Sequence, residues 1–385
     1  MSLLWQTNRP QDVWHCISKI SDEIWSQAIV KTLPSLGISG LDSENMLEMI
    51  LGEGQFGADR YHLSFTKQVY YHVKPFFPQP LAWLLRRWYS NPQRRNFSLG
   101  WPAESRYMQF LQDTMRLVSL LSGINPVEYV NFWPKGQHSC LVLTHDVETA
   151  EGQKFIPVVA DLEEKLGFRS SFNLIPERYS IDRGLVADLK NRGFEIGIHG
   201  LKHDGKLYLS QKTFHDRCVR INEYLQLHDA VGFRSPLTHR QPEWMQSLAI
   251  EYDSSFFDTD PFEPMPGGTM SLLPFFIGQF VELPYTLMQD YTLVSFLHET
   301  TPHIWLEKAH LIEQYQGMVL LNSHPDYLQH PPGMAVYTQF LTEMKQINKI
   351  YHDLPRVVAR WWRYRAQIDE NTDPGTYSIG QFFKD

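Results

Sequence analysis

His199 and His203 stand four residues apart, so a helical turn would set both imidazoles on one face, where they could close on a single ion. Imidazole nitrogen suits zinc and other divalent first-row metals. The spacing alone says little, because the chain holds 16 histidines and a surface pair is the simpler reading. Its position says more: the pair follows an apolar run and sits beside Gly200 and Asp204. Asp146 and Glu148 are two apart. In an extended segment they share a face, about 6.5 Å from each other. Such a pair can divide labour, one carboxylate binding a metal while the other stays free as a base. Two imidazoles and one carboxylate leave coordination positions open for water and substrate. A helix N-cap after a strand would explain one of the acids, but not both acids and both histidines. Arg234 could pair with a buried carboxylate and lower its pKa. His324, just before Pro325, could act as a general acid near neutral pH. Taken singly, those two residues read more simply as an ordinary salt bridge and a satisfied core histidine.

These residues need elements to hold them. From 136 to 330, short β-rich runs alternate with helical patterns. The expected strands are Cys140–Thr144, Ser170–Ile175, Glu195–His199, Ala230–Arg234, Glu251–Ser254, Phe280–Leu283 and Met318–Asn322. Helical spacing is found at Lys154–Leu166, Gly184–Arg192 and Gln211–Leu225. Strand, helix, strand in repetition predicts parallel strands with helical crossovers, and seven strands suit a barrel better than a short open sheet. Active sites of such barrels lie at the C-terminal strand ends. The candidate residues cluster there, in Thr144–Glu148, His199–Asp204, Phe233–Pro236 and Ser323–Asp326.

The flanks carry no chemical motif. Residues 1–135 read as mostly helical, with apolar periodicity over Val13–Leu33 and Arg106–Leu121. Residues 331–385 predict a helix around Val336–Ile350 and then a polar tail with Asn371, Asp373, Pro374 and Gly375. Two runs are basic and apolar together, His72–Tyr89 and Arg356–Arg365. Each is read as a helix burying its apolar side within the protein, in preference to one lying on a membrane.

Composition narrows the classes. The 385 residues carry a net charge of -8 and are 43% hydrophobic and 20% charged, as an ordinary globular protein is. A negative chain is a poor candidate for general nucleic-acid binding. Three cysteines, Cys16, Cys140 and Cys218, give no disulfide framework. Neither a secretory leader nor a membrane-spanning run is evident, so the expected compartment is the cytoplasm, with peripheral contact at the inner membrane face left open. A serine hydrolase is disfavoured, since no G-x-S-x-G elbow is present.

In these segments the sequence resembles the polysaccharide deacetylase (NodB-homology) family, carbohydrate esterase family four. The resemblance covers about residues 138–330. It rests on Thr144–Glu148, His199–His203, Phe233–Pro236, Tyr252–Ser255 with Phe280–Pro284, and Leu321–Pro325, in that order. It implies an α/β fold, a deformed (β/α) barrel, and removal of acyl groups, usually N-acetyl, from amino sugars with one divalent metal. The family's first motif ends in two adjacent aspartates, base then ligand. Here Asp146 matches the base, Val147 stands at the ligand position, and Glu148 is the substitute ligand. His199 and His203 match the paired histidine ligands, Arg234 the arginine that holds the base, and His324 the acid. Asp290 is the candidate for the carboxylate that tunes this histidine. The implied cofactor is zinc first, with nickel, cobalt or manganese as alternatives, and the implied partner is a glycan or small-molecule substrate. Two other readings stay open: a hydrolase of cyclic amides or ureides on the same fold, and a carbohydrate-binding protein with a decayed site.

Overall fold

The computed structural model describes residues 3–62, 97–265, 267–368 and 379–381. The run His72–Tyr89 and the tail residues Asn371, Asp373, Pro374 and Gly375 lie outside the described residues.

The core is a curled, mixed sheet wrapped by helices. Its strands are β1 (Ser139–Val147), β2 (Ser171–Leu174), β3 (Glu195–His199), β4 (Gly232–Arg234), β5 (Tyr252–Asp253), β6 (Phe275–Ile277), β7 (Phe280–Glu282), β8 (Met318–Ser323) and β9 (Ile350–His352). All nine residues of β1 are buried. A strand covered on both faces has to read as a near-continuous apolar run, which Cys140-Leu-Val-Leu does. One edge of β1 runs parallel to β8, from Cys140 opposite Met318 to His145 opposite Ser323. Its other edge pairs first with β9 and then, from Thr144 onward, with β2. The parallel order continues through β3, β4, β5 and β7, and β6 closes the far side antiparallel to β7.

The curl stops short of a closed ladder. Beyond β7, the N–H groups of Thr286 and Leu287 both donate to the Leu320 carbonyl on the open edge of β8, each at 3.1 Å. The Thr286 hydroxyl donates to the Met318 carbonyl at 2.8 Å. A half-barrel is thus bridged by an irregular segment, which satisfies edge groups that would otherwise be exposed. The other edge is covered too: Asn8 accepts from the Phe276 N–H at 2.7 Å and donates to its carbonyl at 2.9 Å, mimicking a strand partner.

Helices fill the crossovers. Helix α1 (Ala150–Leu166) starts at Thr149, whose hydroxyl accepts from the Gly152 N–H, and ends at Gly167 in the left-handed region with φ 91°. Helices α2 (Arg183–Asn191) and α3 (Gln211–Leu227) start on Asp182 and Ser210 in the same way.

All seven expected strands form, the sheet gains two more, and Glu128–Val130 pairs antiparallel with Ile379–Gln381 in a separate two-stranded ribbon. Strand β6 hides within an apolar stretch whose pattern suggests no strand. Strand β9 falls where the expected helix Val336–Ile350 was to end, because the helix stops at Met344. The periodicity over Val13–Leu33 does not give one helix. It splits into Pro10–Trp14 and Asp22–Thr32, separated at His15, whose φ is 48°. The run Arg356–Arg365 is a helix with Trp361 and Trp362 buried, and Trp361 donates to the Phe132 carbonyl at 2.7 Å. Among the described residues, no helix is long and apolar enough to cross a membrane.

Candidate metal and catalytic site

The C-terminal ends of the strands converge on one cavity, lined among others by Asp146, Glu148, His199, His203, Arg234 and His324. Glu148, His199 and His203 each offer a ligand atom, and these atoms all lie within 4.8 Å of one another. The histidine pair does not converge through a helical turn. His199 ends β3, and the chain then reverses through Gly200 (φ 62°) to His203, itself at φ 52°. Gly200 is required twice, since a Cβ there would also stand 2.3 Å from the Pro236 ring.

The donor set fits a cation. His199 Nδ1 lies 3.1 Å from the Arg234 carbonyl, which can only accept. Nδ1 therefore carries the proton and the Nε2 lone pair is free. Burial pulls the His199 pKa down to about 4, so the imidazole is neutral near pH 7, the form that binds metal. His203 Nε2 lies 3.2 Å from Glu148 Oε1. Burial would raise the Glu148 carboxyl, but His203 and then His324 and His199 hold it well below the ordinary carboxylate range. Glu148 is aimed by Asp326, which accepts from the Glu148 N–H at 2.8 Å and from the Thr149 hydroxyl. Asp326 packs so close to α1 that a Cβ on Gly152 would meet its carboxylate at 2.2 Å.

Asp146 lies beside this cluster, its Oδ2 3.9 Å from His199 Nε2. Asn173 donates to one carboxylate oxygen and Asn322 to the other, each at 2.9 Å, and Arg234 Nε approaches to 3.4 Å. Burial would raise this carboxyl. The charges of His199, Arg234 and His324, with the Asn173 amide, outweigh it and hold Asp146 at about 2. Arg234 also donates to the Thr144 hydroxyl at 2.8 Å.

Across the cavity, His324 Nδ1 lies 2.7 Å from Asp290 Oδ1, and the His324 N–H donates to Asp290 Oδ2 at 2.9 Å. Burial alone would lower the imidazolium pKa, but the Asp290 carboxylate raises it to about 10. With Nδ1 tied to Asp290, the Nε2 proton is the one free to face the cavity.

Asn173 and Asn322 carry no signal in a motif search. The available clue is an amide inside an otherwise apolar, buried strand, where it needs partners. Asp326 stands in the Ser323–Asp326 cluster but has no role legible from sequence. Asp204 turns away and pairs with Arg217 through two contacts of 2.7 Å. Behind the site, Ser323 Oγ lies 2.9 Å from His145 Nδ1, and His145 Nε2 lies 2.6 Å from Glu163. This has the residue types of a serine-hydrolase triad. All three residues are fully buried, so the arrangement ties β1, β8 and α1 together and meets no substrate.

No protein-family model matches the sequence, and no curated protein does. The fold is shared with solved structures. One is a protein from Mycobacterium smegmatis assigned as a polysaccharide deacetylase, with a TM-score of 0.50 and 19% identity, covering 64% of this chain and 96% of that one. Another is Puue allantoinase, with a TM-score of 0.51 and 14% identity, covering 66% of this chain and 97% of that one. At such identities the likeness establishes a common fold, the deformed barrel of those structures.

Proposed function

We propose that this chain, built on the fold of a polysaccharide deacetylase and an allantoinase, is a metal-dependent hydrolase that removes an N-acyl group, N-acetyl first, from an amino sugar or glycan precursor. The observation that carries the reading is the pairing of a three-residue cation cradle, Glu148, His199 and His203, with an ionised Asp146 beside it and a protonated His324 across the cavity. When bound, a divalent cation, zinc first, supplies Lewis-acid polarisation of the acyl carbonyl and a more acidic water. Asp146 takes a proton from the attacking water as its oxygen bonds to the acyl carbon. The two amides and Arg234 keep the carboxylate in place and charged before that step. His324 passes its Nε2 proton to the nitrogen as the C–N bond breaks, so that a neutral amine leaves. Asp290 positions the ring and keeps it protonated. General acid–base assistance of this kind typically contributes about 10²–10⁴-fold.

The test is acetate release from N-acetylated amino-sugar precursors, free and lipid-linked, by metal-loaded protein, with Asp146→Asn as control. The reading expects turnover by the native chain and loss of turnover with metal retained in the variant. Equal turnover by Asp146→Asn would overturn it. Because the same fold also carries an allantoinase, cyclic ureides form the second arm, and hydrolysis of those alone would move the assignment to that class. A cytoplasmic or inner-face precursor is the proposed substrate pool, and activity on extracellular polymer alone would count against it.

A further inference from the structure

One wall of the cavity turns on two residues, Leu237 and Thr238. Both are left-handed, at φ 59° and 53°. Neither is glycine, and Thr238 is β-branched, so this corner has to be held by its surroundings. It is functional ground: Leu237 and Thr238 line the cavity, and the preceding Pro236 packs on Gly200, at the start of the turn that brings His199 and His203 together.

The corner has hydrogen bonds of its own, from the Thr238 N–H to the Ser235 carbonyl at 3.3 Å and from the His239 N–H to the Pro236 carbonyl at 3.2 Å, and is held further from outside the barrel strands. Arg240 donates through one terminal nitrogen to the Thr238 carbonyl at 2.8 Å. Its Nε and other terminal nitrogen both reach Glu53, at 2.8 and 2.5 Å. Arg240 and Glu53 are each 1% exposed. The guanidinium lies between Phe256 and Phe257, 4.9 and 4.8 Å from the ring centroids. Glu53 accepts in addition from the Gly268 N–H at 2.7 Å, and a Cβ on Gly267 would stand 2.2 Å from its carboxylate, so the chain is wrapped closely around the pair. On the cavity side, the Thr238 hydroxyl contacts Glu263 Oε2 at 3.1 Å, and Gln289 donates to Glu263 Oε1 at 2.7 Å.

We infer that Glu53, contributed by the N-terminal region, and Arg240 form a clasp that positions the Leu237–Thr238 corner, and that the polar wall so held, Thr238, Glu263 and Gln289, reads hydroxyl groups of the substrate. The inference rests on the proposed hydrolase reading of the cavity. It makes the N-terminal region a support of the cavity wall. Glu53 and Arg240 are positioning residues, touching neither the cradle nor Asp146.

The test is the double variant Glu53→Met/Arg240→Met beside the single variants. Removing one charge strands the other in the core, so the singles should fold poorly, whereas a pair of apolar side chains of similar size is often tolerated there. The double variant should therefore recover the melting temperature but not the wall. Its KM for an N-acetylated amino sugar should rise at least tenfold, with kcat for 4-nitrophenyl acetate, which has no hydroxyl group for the wall to read, within threefold of the native value. A native sugar KM in the double variant would overturn the inference. A crystal structure of the double variant tests the clasp without reference to activity. The corner is expected to leave the left-handed region, and Leu237 and Thr238 found unchanged would overturn the inference even if no sugar is turned over. Failure of the hydrolase reading shows instead as native protein inert toward every N-acyl substrate.

Discussion

Replacing Asp290 by asparagine keeps the size of the side chain and removes one charge, which isolates what the carboxylate does to His324. The native imidazolium sits at about 10, against an ordinary value of 6.5, and Asp290 supplies the leading upward influence through a charge and a 2.7 Å hydrogen bond. The difference, at about 1.4 kcal/mol per pKa unit, corresponds to roughly 5 kcal/mol of preference for the charged ring. In Asp290→Asn the ring returns toward 6.5 or lower, because burial now acts with less opposition. At pH 7.5 an imidazole of pKa 6.5 is protonated in about one molecule in ten. The native ring, protonated below about 10, is charged throughout the neutral range. The acid form is thus depleted about tenfold, and the loss of aim adds to that, so kcat at pH 7.5 should fall by about 10²-fold. The sign fixes the profile. The proton donor disappears as pH rises through its pKa, so the alkaline limb of kcat should move to lower pH, and part of the activity should return near pH 6. A bound divalent cation pushes the ring the other way, but equally in both proteins. The assay is kcat against pH on an N-acetylated amino sugar, with metal content measured in parallel. An alkaline limb at the same pH in both proteins, with full metal content, would refute the tuning of His324 by Asp290.

Removing either imidazole of the cradle, His199→Ala or His203→Ala, should drop metal content from about one per chain to a small fraction, read by elemental analysis after dialysis. Asn322→Ala leaves one oxygen of Asp146 with a lost donor. It should cost about 1–3 kcal/mol in chemical denaturation and move the acid limb of the pH profile upward, because the carboxylate is less well held; an unmoved limb would show that the amide is dispensable. Gly200→Ala forces a Cβ to within 2.3 Å of Pro236 at a left-handed position. It should weaken metal binding at least tenfold while circular dichroism stays near native, and unchanged affinity would mean that the turn has room.

The alternation of strand and helix was legible in the residues alone, because buried parallel strands must be apolar runs and crossovers must be amphipathic. So was the set of residues that gather at the strand ends, since Asp146, Glu148, His199, Arg234 and His324 each follow such a run. The sequence could not reveal β9 or the shift from strand to irregular closure at Thr286, where three or four residues carry too little periodicity to register. Nor could it show that His199 and His203 meet through a left-handed reversal instead of a helix, since a spacing of four fits either. Asn173, Asn322 and Asp326 stayed invisible for another reason. Their meaning lies in which carboxylate or N–H they face across 27 to 178 positions of chain. Only tertiary structure decides that. The same holds for Glu53 and Arg240, 187 residues apart, whose burial in one ion pair comes from packing the N-terminal region against the barrel.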